Sequence, residues 1–269
     1  MSAGGSGAAA EAIPQNKIIA FGVAGGLIGI YAAYFLVDMV GQYMSFIGAL
    51  GAICGMIWGA AAVRRVASYG LGTGVPSIGM LALGMGVVAA TFGLAVGGIV
   101  GPVIALITAA IIGLMIGVIA NKILNMGIPI MEISMTEIAT AGTITILGLA
   151  IAMTGTFDFD VVLPQVITTG YIAVIFIAGG LAILHPFNAN LGPDEKQDRT
   201  LMCALEKGAI AMVVAGIVAT VNAGASGALT ILIGLALWYI GFSGYYARVK
   251  RDAYVVVGTG MLPTKEELE

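Results

Sequence analysis

The sequence is poor in charge: 9% of its 269 residues are Asp, Glu, Lys or Arg, against 59% that are hydrophobic. Soluble domains carry about 25% charged residues, because a packed core needs a polar shell. A chain this apolar cannot build that shell, so a water-soluble globule is excluded and its surface must face lipid. Histidine is nearly missing, with one in the chain, so no histidine cluster can hold a transition metal. That residue, His185, precedes Pro186 and reads as a helix-end residue rather than a ligand or base. Cys54 and Cys203 fall in different settings, one inside an apolar run and one in a charged loop. They give neither a disulfide framework nor metal-ligand spacing. A net charge of −3 argues for no nucleic-acid partner. Gly72-Thr-Gly74 is not a phosphate-binding loop, since no Gly-Lys-Ser/Thr follows it.

What the chain has instead is apolar runs seeded with 41 glycines. About 20 apolar residues are needed to cross roughly 30 Å of hydrocarbon. Eight stretches qualify or nearly do: Ile18–Val37, Tyr43–Val63, Ser77–Val96, Ile99–Ala120, Ile138–Thr154, Val161–Leu184, Gly208–Asn222 and Ser226–Tyr246. The seventh is short, and is either extended by Leu201–Lys207 or enters only part of the membrane. The connections alternate in composition. All 11 Lys and Arg fall on the side that holds Lys17, Arg64, Lys122, Lys196 and Arg248. The intervening turns, Asp38–Gln42, Gly97–Gly98, Gly155–Asp160 and Ala223–Ala225, hold three Asp and no base. The positive-inside rule makes the basic side cytoplasmic.

The expected fold is therefore all-α, a multi-pass bundle of about eight spans in four hairpins in the cell membrane, with both termini cytoplasmic. Residues 1–17 form a cytoplasmic tail, 18–246 one transmembrane domain and 247–269 a second tail. Met1–Ala12 lacks a basic n-region and reads as a disordered tail, not a signal peptide. Small-x-x-x-small pairs such as Gly22/Gly26, Gly25/Gly29, Gly51/Gly55 and Gly93/Gly97 point to close helix packing, within the bundle or against a partner's helix. Basic residues, Ala, Tyr, Gly-Thr-Gly and Pro recur in that order in Val63–Pro76 and Ala247–Pro263, with a fainter copy in Asn121-Lys122 and Met126–Pro129. All three lie on the basic side, which implies repeats of one orientation.

The acids near the membrane are the functional candidates, because ionisable groups inside spans are costly. Glu137 lies in Ser134-Met-Thr-Glu-Ile-Ala-Thr140, where helical spacing puts Ser134, Glu137 and Thr140 on one face. Three oxygen side chains including a carboxylate resemble part of a hard-cation site. The alternative is that Glu137 caps the start of the fifth span. Glu132, off that face, reads as interfacial. Asp38, Asp158, Asp160 and Asn222 sit at the outer turns, where they either draw cations inward or are simply solvated. The cytoplasmic loop with Arg64, Arg65, Gly72, Gly74 and Pro76 either binds an anion through its amides or is a tight turn beneath a positive anchor.

Arg64-Arg-Val-Ala-Ser-Tyr-Gly-Leu-Gly-Thr-Gly-Val-Pro-Ser-Ile-Gly79 resembles the family of C subunits of tetrahydromethanopterin S-methyltransferases. Ala12-Ile-Pro-Gln, Gly22-Val-Ala-Gly-Gly-Leu-Ile-Gly-Ile-Tyr31 and Lys207-Gly-Ala-Ile-Ala-Met212 are similar to it too. The resemblance covers most of the chain. It implies a multi-subunit complex of methanogenic archaea that moves a methyl group from methyl-tetrahydromethanopterin, or its sarcinapterin relative, through a corrinoid to coenzyme M. It also implies outward Na⁺ pumping coupled to that transfer, with the corrinoid carried by another subunit. The expected partners are the other membrane and corrinoid-carrying subunits and membrane lipid. On this reading the chain binds no cofactor, has no catalytic centre and contributes to the Na⁺ path. Two alternatives are a stand-alone secondary transporter and a structural anchor without ion contact. Little Gly or Pro interruption within the expected spans counts against the transporter.

Overall fold

The structure, a computed structural model, describes residues 12–69, 74–190 and 196–253. Among these residues there is helix and turn and no strand. The helices are α1 (Gln15–Val40), α2 (Phe46–Ala67), α3 (Gly74–Val96), α4 (Gly101–Val118), α5 (Met131–Thr154), α6 (Phe159–Val162), α7 (Tyr171–Asn190), α8 (Gln197–Ala223) and α9 (Ala228–Ala253). Several boundaries follow directly from residue chemistry. Pro14 precedes α1, and Pro102 occupies the first turn of α4, where a missing N–H costs nothing. Gly155 ends α5 in the left-handed conformation, with φ +78°.

α5 is the axis of the bundle, with α1, α2, α3, α4, α7 and α8 packed around it. In the apolar 18-residue core of Met131–Thr154, 94% of residues are buried, yet it is the least apolar of the candidate spans; in that of the most apolar, Gly101–Ile123, 33% are. In lipid this ordering makes sense, since hydrocarbon is as apolar as leucine and only a surrounded helix can carry hydroxyls freely. The α5 threonines satisfy themselves. Thr136, Thr140, Thr145 and Thr154 each donate to the carbonyl four residues back, at 2.6 to 2.9 Å.

Glycine lets the neighbours reach the α5 backbone. A Cβ on Gly48 would meet the Gly148 carbonyl at 2.9 Å, and one on Gly86 the Ala139 carbonyl at 2.6 Å. α1 and α2 touch backbone to backbone, where a Cβ on Gly29 would lie 2.6 Å from the Gly51 Cα. Gly97 departs from the expected packing stripe. It lies in the α3–α4 turn at φ +82°, and a Cβ there would meet the Leu94 carbonyl alone, at 4.0 Å.

Six stretches are long and apolar enough to cross a membrane, or seven with the bent pair Phe159–Ile167 and Tyr171–Pro186. The last of the six, Gln197–Asp252, folds back at Gly224–Gly227 into a hairpin. Its arms run antiparallel, for Gly216 faces Ile231, Gly234 faces Val213 and Gly241 faces Glu206. α8 begins at Gln197 rather than Gly208, and α5 at Met131 rather than Ile138. Charges near the helix starts lower local hydropathy without stopping the helix.

The expected sixth span is not continuous. Phe159–Ile167 and Tyr171–Pro186 meet at 82°. Pro164 removes a helix donor, the backbone widens to a π-turn over Leu163–Ile167, and Gly170 turns the chain at φ +81°. The short arm lies at the end of the bundle opposite the bases. That end is closed by Tyr31, whose hydroxyl donates to the Ile99 carbonyl at 2.6 Å, and by Phe157 stacked on Tyr34 at 4.1 Å. Gly72, Met1–Glu11 and the second Gly-Thr-Gly copy, Gly258-Thr-Gly260, lie outside the described residues, whereas Gly74 and Pro76 open α3.

Gly29→Ala should lower the thermal stability of the solubilised protein by about 1–3 kcal/mol, because backbone on the facing helix cannot rotate away. Gly84→Ala, with nothing within 4 Å of the added methyl, should be neutral or slightly stabilising. Thermal unfolding of the two variants, measured side by side, checks this contrast.

Candidate functional site

Glu137 sits in the second turn of α5, too far from its start to cap it. It is buried, at 4% exposure. Three nitrogens point at its carboxylate. Gln15 Nε2 donates to Oε2 at 2.5 Å, Trp58 Nε1 donates to Oε2 at 3.0 Å, and Arg65 donates to Oε1 at 3.3 Å. Helix periodicity explains why these residues converge. Trp58 and Arg65 are two turns apart on one face of α2, while Gln15 and Gly22 are two turns apart on one face of α1. Gly22 makes room for the indole: a Cβ there would lie 2.5 Å from the Trp58 Cβ. The arrangement is a carboxylate compensated by one cation and two neutral donors, the form in which a buried acid is tolerable.

The other members of the expected cation face differ. Ser134 is fully buried and its hydroxyl has no hydrogen-bond partner. Thr140 turns its hydroxyl to the carbonyls of Thr136 and Glu137, at 2.6 and 3.1 Å. Glu137 thus carries three donors, while the Ser134 hydroxyl one turn away has no partner. Glu132 lies at the start of α5. Asn121 holds both its oxygens, at 3.0 and 3.2 Å, and accepts the Ile128 N–H at 3.0 Å, which fixes the α4–α5 loop. Beside that loop is a depression of about 330 Å³ lined by Asn121, Lys122, Asn125, Gly127, Ile128 and Pro129.

At the opposite end Asp38, Asp158, Asp160 and Asn222 are exposed. Asp38 and Asp158 both come within electrostatic reach of the Tyr34 phenol. Asp160 lies in the first turn of α6, and Asn222 in the last turn of α8. Among the described residues no three of His, Cys, Asp and Glu converge on a metal-sized position. Of the cytoplasmic-loop candidates, Arg65 turns inward to Glu137, and Arg64 shares the last turn of α2 with it.

Three features escaped the sequence reading. Trp58 and Gln15 lie 79 and 122 positions from Glu137; the one available signal was that a buried indole N–H needs an acceptor. Glu206 is buried within α8 at 5% exposure and paired with Lys207 at 2.8 Å. A charge cluster also joins the start of α8 to the end of α9. There Asp252, 2% exposed, binds Lys196 and Arg251 at 2.8 Å and Arg199 at 3.4 Å, while Asp198 binds Arg248 and Arg251.

Arg65→Ala should destabilise the protein by about 1–2 kcal/mol, because it strands a buried carboxylate; the partial exposure of Arg65, 34%, holds the cost below that of a fully buried pair. Adding Glu137→Gln should recover most of that loss. A double-mutant cycle in thermal or denaturant unfolding reads the coupling directly, and additive losses would contradict the pairing.

Comparison with known proteins places the sequence in a family. A family model, described as that of the C subunit of tetrahydromethanopterin S-methyltransferase, matches residues 1–266. The C subunit of this enzyme from Methanosarcina barkeri is 60% identical, with both chains covered in full. Its counterpart from Methanothermobacter marburgensis is 42% identical, over 99% of this chain and all of its own. That of Methanocaldococcus jannaschii is 40% identical, over 99% of this chain and all of its own.

Proposed function

The chain belongs to the family of C subunits of tetrahydromethanopterin S-methyltransferases, and we propose that it is the part of that complex whose α5 carboxylate lines a Na⁺ path. In this reading it crosses the membrane eight times, with its bases in the cytoplasm. It has no catalytic centre of its own. The methyl group passes from methyl-tetrahydromethanopterin to coenzyme M through a corrinoid on another subunit, and the chain contributes to the ion translocation coupled to that transfer.

The observation that carries the proposal is Glu137, a carboxylate held inside a helix bundle next to Ser134, whose buried hydroxyl is unpartnered. A carboxylate and a hydroxyl are hard-oxygen ligands suited to an alkali cation, and a bundle built only as an anchor has no use for either. Support for the eight crossings comes from the α8–α9 hairpin and from the bent sixth segment, and from Arg64, Arg65, Lys122, Lys250 and Arg251 falling in the last turns of their helices. In this arrangement the Arg65 guanidinium holds Glu137 compensated while no Na⁺ is bound, and a cation must displace at least one of the three donors to enter. The exposed carboxylates Asp38 and Asp158 raise the local cation concentration at the outer mouth.

A second reading, a stand-alone secondary transporter, draws support from the 82° break between Phe159–Ile167 and Tyr171–Pro186. Discontinuous helices are the usual building material of transporter binding sites. Purification from native membranes separates the two. Recovery together with a corrinoid-carrying subunit supports the methyltransferase reading, and a chain that runs alone and transports ions in proteoliposomes supports the transporter. Within the intact complex, Glu137→Gln should lower Na⁺-dependent methyl transfer by about tenfold or more, equivalent to roughly 1.4 kcal/mol on the barrier. Unaltered turnover in Glu137→Gln and in Asp38→Asn would leave the chain as an anchor without ion contact.

A further inference from the structure

The residues that lead into α1 are tied down at two points. The Ile13 N–H donates to Gln197 Oε1 at 2.6 Å, and Gln197 Nε2 donates back to the Ile13 carbonyl at 2.9 Å. A side-chain amide thus pairs with a backbone unit through both of its groups. Pro14 follows at φ −57° and stiffens the link. Two residues past the clamped one, Gln15 reaches Glu137. The first residue of α8 therefore determines where the side chain of the first residue of α1 sits.

We propose that Ile13–Gln15 is a latch that closes the Glu137–Ser134 site from the basic end of the bundle, with Gln197 as its catch. This rests on the reading of that site as a cation position. In the latched state Glu137 Oε2 takes two donors and Oε1 takes Arg65, so three of the carboxylate's roughly four lone-pair sites are occupied and Oε2 is fully taken. The Ser134 hydroxyl, one turn nearer the basic end, is sealed off. Releasing Gln197 lets Ile13–Gln15 swing out. Glu137 then loses its shortest donor, and Ser134 comes into contact with solvent. The two catch bonds are solvent-exposed, which makes them weak and reversible, as a gate requires. The Gln15 amide can also turn over and offer its carbonyl oxygen to a cation, because one side chain carries both donor and acceptor. The catch is connected to the rest of the molecule. Gln197 adjoins Asp198, which Arg248 and Arg251 hold, so movement of the α8 and α9 ends moves the catch with them.

The test uses the intact complex, with Cys54 and Cys203 replaced by Ala and Ser134→Cys as the reporter. The rate of modification by a small water-soluble thiol reagent is measured. Gln197→Ala should raise that rate by about fivefold or more, as expected for a locally opened segment. Gln15→Ala should raise it as well, and Gln197→Glu, which keeps the bond from the Ile13 N–H and loses the return bond, should fall between. Rates that are unchanged in both Ala variants overturn the latch. Should the reporter complex fail to assemble, hydrogen exchange of the amides over residues 15–18 and 134–138 takes its place in the Ser134 background. Faster exchange in Gln197→Ala supports the latch there, and equal exchange overturns it. Replacing choline by Na⁺ at constant ionic strength, with Ser134 intact and hydrogen exchange over residues 134–138 as the readout, tests the reading beneath it. Slower exchange of Gln197→Ala in Na⁺ supports a cation position, whereas a latch effect with no Na⁺ dependence retains the latch and refutes the cation.

Discussion

Close approach of backbones at α5 is the constraint from which this bundle follows. Lipid supplies no hydrophobic force to press helices together, so dispersion contacts must do it, and these fall away steeply with distance. Glycines on α2, α3 and α4 bring those helices onto the backbone of α5. Once α5 is surrounded, its composition can change. Hydroxyls and one carboxylate become tolerable there, because they face protein and not hydrocarbon. The same packing that makes the bundle stable thus creates the interior in which Glu137 can sit. The contrast between the apolar, lipid-facing α4 and the hydroxyl-rich, enclosed α5 expresses that division within one short chain.

Glu137 in turn ties three helices with a single side chain. Replacing Gly22 by a larger residue would push on Trp58, moving Trp58 would loosen Glu137, and loosening Glu137 would free Arg65 and Gln15. Packing and electrostatics are coupled here through one indole. A glycine in α1 that reads as an ordinary packing position therefore bears on the charge state the site can hold.

Much of the architecture was legible because it is written in features that repeat. Charge alternates with every connection, and apolar length repeats with every crossing. The all-helical class and the antiparallel α8–α9 hairpin follow from those periods. The family resemblance rests on the loop at Arg64–Gly79, within a match that runs over residues 1–266. What was not legible is single and non-periodic. The break near Gly170 disappears into a long stretch of Val, Ile and Ala, although Pro164 and Gly170 are both there to be read. The start of α8 was hidden by Asp198, Glu206 and Lys207, whose charges lower hydropathy but are paired in the fold. Glu137 was picked out by its place in an apolar run. Its partners were not, since no spacing rule connects positions so far apart in the chain.

The charge cluster that closes the α8–α9 hairpin is reciprocal. Lys196 and Arg199, on the α8 arm, hold Asp252 of α9, while Arg248 and Arg251 of α9 hold Asp198 of α8. Each arm is thus bound to the other's charges, at the hairpin's open end. Dragging that end through hydrocarbon would mean carrying the whole knot of ions with it. Two helices so fastened behave as one barb: neither arm can invert singly, because each would have to draw the other's charges with it through hydrocarbon.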